Sequence, residues 1–172
     1  TEATLAPNGK EFAYVFRGEI FVSSVGGGTT KRITNTPWQE RSVHFSPDGR
    51  SLVYAAERDS SWNVYTTTIA RKEEPYFSVS TVLTQTPVVT TAAEEYQPTF
   101  SPDGTRIAFR SERDGGGIYT ISTLGGDERR ITNEGYRPRF SPDGRFIAYW
   151  TGILATPGLA LQAKVFVVPV AG

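Results

Sequence analysis

The sequence predicts an all-β fold, a β-propeller, on three observations. One turn is written four times: "TLAPNGK" at 4–10, "HFSPDGR" at 44–50, "TFSPDGT" at 99–105 and "RFSPDGR" at 139–145. Each copy leads into an alternating apolar run: "EFAYVF", "SLVYAA", "RIAFRS" and "FIAYWT". No stretch of the 172 residues carries a helical period. Short period-2 runs repeated about every 40 residues read as stacked four-stranded sheets.

The turn is the first element of each unit. Pro7, Pro47, Pro102 and Pro142 mark it, 40, 55 and 40 residues apart. Proline presets φ, Asp48 bonds nearby backbone N–H groups, and Gly49, Gly104 and Gly144 supply the positive φ that ends the turn. The result is a type I turn with a glycine bulge, joining two antiparallel strands. The aspartates therefore read as turn chemistry rather than metal ligands or catalytic acids. Asn8 in the first copy agrees, because Asn serves a turn but is a poorer anion.

Strand a of each unit ends at an apolar residue before the turn: Leu5, Phe45, Phe100 and Phe140. Strand b is the alternating run. Strand c carries a β-branched and aromatic pair, Ile20-Phe21, Val64-Tyr65, Ile118-Tyr119 and Val165-Phe166. Strand d closes the first three units with "KRIT", "TVLT" and "RRIT". A four-stranded sheet cannot bury both faces alone, so the units stack. One propeller domain over 1–172 is expected, with blades at about 1–34, 35–84, 85–132 and 133–172 and the last lacking its outer strand. Four blades could close as a small ring, form half of an eight-bladed ring of two chains, or belong to a larger propeller. The end faces are expected to be apolar, built around Phe12, Tyr14, Ile147 and Tyr149.

The long segments are placed by comparing units. "ARKEEPYF" falls between c and d of the second unit, "QTPVVTTAAEE" between its d and the next a, and "GILATPGLALQ" between b and c of the fourth. Such loops are either tolerated insertions or carriers of function.

Composition excludes several classes. Eighteen basic residues balance eighteen acidic ones, which argues against nucleic acid or an anionic membrane as partner. Arg outnumbers Lys 14 to 4, which suits fixed pairing. Without cysteine there are no disulfides or thiolate sites, and the redox compartment stays open. No apolar run approaches a membrane span and no signal peptide is read. Met is missing even at position 1, so the chain reads as a processed form or a piece of something longer.

With these residues in view a family resemblance appears. "YQPTFSPDGTRIAFRSERDGGGIYTISTLGGDERRIT" resembles the WD-like propeller repeat of the TolB type, also found in tricorn-type proteases and bacterial sensor proteins. The first half, with "ARKEEPYF", is similar to propellers of tricorn-like peptidases. The second half resembles propellers fused to bacterial kinases or regulators, so a recombined chain is one reading. An extracytoplasmic, periplasmic setting is favoured over the cytoplasm. The resemblance implies a fold and little chemistry, because propellers host unrelated functions.

Catalytic motifs are missing: neither GxSxG nor HExxH occurs. His44 is the only histidine, in a slot filled by Thr4, Thr99 and Arg139 in the other copies; it reads as a packed or solvated inner-strand residue, with the base of a Ser–His–Asp arrangement as the alternative. The "ERD" triplets at 57–59 and 112–114 read as turn and pairing residues. No cofactor or metal is expected, and no enzyme activity. The d–a and b–c loops share one face at the mouth of the central channel. They hold Trp38, Arg41, Trp62, Glu94, Glu95, Tyr96, Arg113, Tyr136 and Arg137, and aromatic and Arg residues are the favoured anchors of binding surfaces. The expected function is a non-enzymatic scaffold or binding module for a protein or peptide. Two alternatives stand beside it: a substrate-gating propeller of a tricorn-like peptidase, and an engineered or recombined propeller without a ligand. A homodimer through the end blades is the expected assembly.

Overall fold

A computed structural model describes residues 2–152 and 163–171. The segment "GILATPGLALQ" lies, apart from its first residue, outside the described residues. Strands β1 (Ala3–Leu5), β2 (Glu11–Phe16), β3 (Glu19–Ser24) and β4 (Thr30–Arg32) form the first antiparallel sheet. The second holds β5 (Glu40–Phe45), β6 (Ser51–Arg58), β7 (Ser61–Ile69) and β8 (Leu83–Val89). The third holds β9 (Glu95–Phe100), β10 (Arg106–Ser111), β11 (Gly117–Ser122) and β12 (Arg129–Arg130). The fourth has three strands, β13 (Tyr136–Phe140), β14 (Phe146–Thr151) and β15 (Lys164–Pro169). Strands neighbour one another in chain order, so each sheet is a meander, a propeller blade. Helix is limited, among the described residues, to single 3-10 turns at Phe77–Val79 and Arg113–Gly115. No helix there is long and apolar enough to cross a membrane.

The repeated turn has the expected geometry, with one component more. Gly9, Gly49, Gly104 and Gly144 sit at φ of +70 to +72°, and the Gly49 N–H bonds the Ser46 carbonyl at 2.9 Å. The serine side chain completes the turn. Ser46 Oγ accepts from the Ser51 N–H at 2.9 Å and donates to Asp48 at 2.5 Å. Asp48 in turn accepts the Arg50 N–H at 3.0 Å. Ser101 with Asp103, and Ser141 with Asp143, repeat the set. The turns also nest along the arc: a Cβ on Gly104 would sit 3.5 Å from Pro47 Cδ, one blade back.

Blades stack by a constant rule. Each presents a cross-strand aromatic pair, Tyr54 with Tyr65, Phe109 with Tyr119, Tyr149 with Phe166, stacked at 5.5–6.5 Å. The pair lies toward the small β-branched face of the preceding blade. Tyr54, Leu52 and Ala56 bury Ala13, Ile20 and Val22; Phe109 and Tyr119 pack on Val53 and Val64; Tyr149 and Ile147 pack on Ala108 and Ile118. The end faces differ in part from expectation. Phe12, Tyr14 and Phe21 form the half-buried ladder on the open side of the first blade, with Phe16 exposed beside them. Ile147 and Tyr149, however, face inward on the third blade. Strand alternation puts Ala148, Trp150, Val165 and Val167 on the open side of the fourth, with Val165 75% and Val167 62% exposed.

The long segments also resolve differently. "QTPVV" is not loop but most of β8, a seven-residue strand that pairs with β7 across one register shift. Pro87 is tolerated because β8 is the outer edge strand, where one N–H has no ladder partner to lose. The c–d segment folds back onto the first blade. Phe77 is fully buried there, edge-on to Phe45 at 5.9 Å. The buried Glu11 carboxylate accepts the Phe77 and Ser78 N–H groups at 3.1 and 2.7 Å.

Candidate functional site

The buried glutamates are built first, because they shape the loop face. Glu40 and Glu95 open strand a in the second and third blades and are fully buried. Glu40 pairs with Arg58 at 2.8 Å and accepts from Thr34 and Thr36. Glu95 pairs with Arg113 at 3.2 Å and accepts from Thr91 at 2.8 Å, and burial raises its carboxyl above the usual range. The arginines belong to the two "ERD" triplets, so these triplets pin the start of strand a to the b–c turn. Arg113 also pairs with Glu128 at 2.7 Å and lies over Tyr119 at 4.6 Å. Its guanidinium is thus committed to the blade and is not a free anchor. Glu40 was missed in the sequence, where only its shared offset from the turn could have matched it to Glu95.

Three of the expected anchors come together. The Arg41 guanidinium lies over the Trp62 ring at 4.7 Å, and Trp62 meets Tyr96 at 5.9 Å across the junction of the second and third blades. Tyr96 donates to the Glu94 carboxylate, and burial together with that carboxylate raises its phenol. Tyr136, 39% exposed, carries Arg110 over its ring at 4.5 Å. Trp38, 42% exposed, stands under Arg58 at 5.3 Å. Trp38 and Tyr136 therefore sit apart from the Arg41–Trp62–Tyr96 cluster, each on its own arginine.

Arg137 belongs to a different feature. Strand a carries a bulge in the second, third and fourth blades, with Ser42, Gln97 and Arg137 at φ of +50 to +57°. No glycine or asparagine signals it in the sequence. The bulge turns backbone N–H groups sideways: the Ser42 N–H bonds the Glu2 carboxylate, and the Arg137 N–H bonds Gln97 Oε1 at 2.7 Å. These residues, with His44 and Arg139, line a cleft of about 300 Å³ between the inner strands. Arg139 Nη2 lies 3.0 Å from His44 Nε2. A guanidinium only donates, so Nε2 accepts and the imidazole is neutral, its proton on Nδ1. Burial and the Arg139 charge push His44 down to about 4.

Comparison with known proteins agrees with this architecture. A family model described as the TolB β-propeller domain matches residues 3–156. The chain belongs to the TolB β-propeller family. The Tol-Pal system protein TolB of Bordetella pertussis is 36% identical over 50 residues, which are 28% of this chain and 11% of that protein. A structure assigned to TolB from Agrobacterium tumefaciens superposes with a TM-score of 0.76 at 25% identity, covering 98% of this chain and 61% of that one. The tricorn protease superposes with a TM-score of 0.60 at 16% identity, over 94% of this chain and 17% of that one, a likeness of fold alone. The chain thus spans only part of each of these relatives.

Proposed function

We propose that this chain is a non-enzymatic TolB-type propeller module that binds a protein or peptide segment across its loop face. The Arg41–Trp62–Tyr96 cluster carries the reading. It joins two blades, leaves Arg41 exposed, and offers half-buried aromatic area beside a cation, the side-chain types that anchor interfaces. The relatives named as Tol-Pal system proteins support partner binding by likeness. His44 supports the absence of an enzyme: a half-buried neutral imidazole whose Nε2 is held by a guanidinium is badly placed to take a proton from a serine. The gating and recombined readings have no observation of their own to favour them.

Selection from a displayed random-peptide library tests this. Enriched peptides are expected to lose at least about tenfold in affinity with Arg41→Ala or Trp62→Ala, as anchor truncation does. Asp143→Asn, on the opposite, turn-bearing face, is expected to leave binding unchanged. Peptides indifferent to both loop-face variants would overturn the reading.

We further propose that this chain, alone in solution, pairs with a second copy through its end blades. The Phe12–Tyr14–Phe21 ladder is the aromatic side of the stacking rule, and Ala148, Val165 and Val167, with Trp150 opposite Val165, form the face it would meet. Each would bring an aromatic ladder against a β-branched face, as the three interfaces within the chain do, and burial gains about 25 cal/mol per Å² of apolar area. Light scattering at micromolar concentration is expected to give twice 18.9 kDa. A mass of one chain with a sharp unfolding transition would refute the pairing.

A further inference from the structure

The cleft between the inner strands holds a charge arrangement that the fold does not need. Arg137 and Arg139 both line it, two residues apart on β13. Among the described residues neither has a carboxylate within ion-pair distance, although nine other ion pairs are formed. Arg137 lies over Trp150 at 5.7 Å, and Arg139 donates to the Pro138 carbonyl at 2.8 Å and to His44. Burial and the Arg137 charge lower the Arg139 guanidinium, the mark of two like charges held together without an anion. The same cleft already shows what its bulged backbone takes. The Ser42 N–H is occupied by a carboxylate, that of Glu2, and the Arg137 N–H by the amide oxygen of Gln97. Among the described residues that line the cleft Glu2 is the one acidic group against two guanidiniums, and His44 is neutral.

We propose that this cleft is a carboxylate-binding subsite, where Arg137 and Arg139 take the acidic group of a peptide lying across the loop face. The inference rests on the peptide-binding reading above and names the chemistry of its ligand. Guanidinium forks match carboxylates with two parallel hydrogen bonds, and both guanidiniums are exposed to an incoming ligand. His44 is a positioning residue: by accepting from Nη2 it fixes the Arg139 guanidinium at the cleft, together with the Pro138 carbonyl on Nη1. Trp150, under Arg137, is the built-in reporter.

Three short glycine-rich peptides test the subsite at constant ionic strength: one with a central Glu and both ends capped, the same peptide with Gln, and an uncharged peptide with a free C-terminal carboxylate. The readout is the Trp150 indole resonance. Saturable binding of the Glu peptide or of the free acid, roughly tenfold tighter than the Gln peptide, is expected, and the stronger of the two tells a side-chain from a terminal carboxylate. Arg139→Gln is expected to reduce both acids to the Gln level, and Arg137→Gln supplies the same test if that variant does not fold. Neither acid binding more tightly than the Gln peptide, or unchanged acid binding in both variants, would overturn the subsite. Library-selected peptides that bind through Trp62 whatever their charge would sink the subsite and leave the peptide-binding reading standing. Acid-selective binding untouched by Trp62→Ala and Arg41→Ala would do the reverse.

Discussion

Ser46, Ser101 and Ser141 each serve the repeated turn as much as its proline and glycine do, because their hydroxyls bond a backbone N–H five residues on. In the first copy Ala6 stands in that slot, and Asn8 keeps only its bond to the Lys10 N–H at 2.9 Å. The double substitution Ala6→Ser with Asn8→Asp is therefore expected to raise the melting temperature, by about 1 kcal/mol for the restored bonds. Gly104→Val should act in the other direction. At φ +72° a β-branched residue costs on the order of 1–2 kcal/mol, and its Cβ would press toward Pro47. The proline, aspartate and glycine roles were legible because they are local backbone preferences. The serine role was not, because its partner lies across the hairpin. Two titrations belong to this scale. The Asp143 carboxyl is held down to about 2, first by Ser141 and then by Arg145. Its folded value is depressed, so its contribution is present above pH 4 and is lost as pH falls toward 2. His44 is depressed as well, but it is a base. Its unfolded form takes up a proton near pH 6.5 while the folded form resists to about 4, so stability falls as pH drops through that window. Arg137, Arg139 and Glu2 are the charged groups around it. Thermal melts from pH 7 to 4 should show the loss, and His44→Gln should flatten it. A wild-type curve already flat there would contradict the assignment.

At the scale of elements, the c–d segment of the second blade is the feature that strand patterns could not place. Its alternation is weak and its charged start, "ARKEE", reads as solvated loop. What seats it is long-range: Phe77 enters the core shared by the first two blades, and the Glu11 carboxylate caps its 3-10 turn from the neighbouring sheet. Arg50 adds bonds to the carbonyls of Glu74 and Arg71 at 2.8 and 2.7 Å. The segment works as a clasp between blades rather than a free arm. Phe77→Ala should cost about 3–5 kcal/mol by cavity formation, measurable in denaturant unfolding. An effect under about 1 kcal/mol would mean that the clasp is not seated as described. The strands themselves were legible wherever one face alternates. β8 was not, because both its faces are largely exposed and its sequence reads as loop. The bulge of strand a was hidden for a related reason: Ser42, Gln97 and Arg137 share an offset from the turn but no residue type.

At the scale of the whole molecule the blades form an arc with two unlike faces. The proline turns nest along one, and the d–a and b–c loops open along the other. That polarity follows from the repeat alone, since every unit enters its turn from the same side. The assignment of individual loop residues did not follow from it, because Arg113 and Glu95 are spent on holding a blade together while Arg41, Trp62 and Tyr96 assemble across two. All three tryptophans lie toward the loop face: Trp38 before β5, Trp62 at the start of β7 and Trp150 near the end of β14. The indole N–H region of a proton–nitrogen correlation spectrum is therefore a three-signal map of that face, with none of its probes at the nested turns. The most direct test of loop-face binding is to titrate a library-selected peptide and follow those three signals beside an independent calorimetric affinity. The expected result is a saturating shift of the Trp62 indole at the calorimetric midpoint. Calorimetric saturation with all three indole signals unmoved would place the ligand elsewhere and contradict the proposed function.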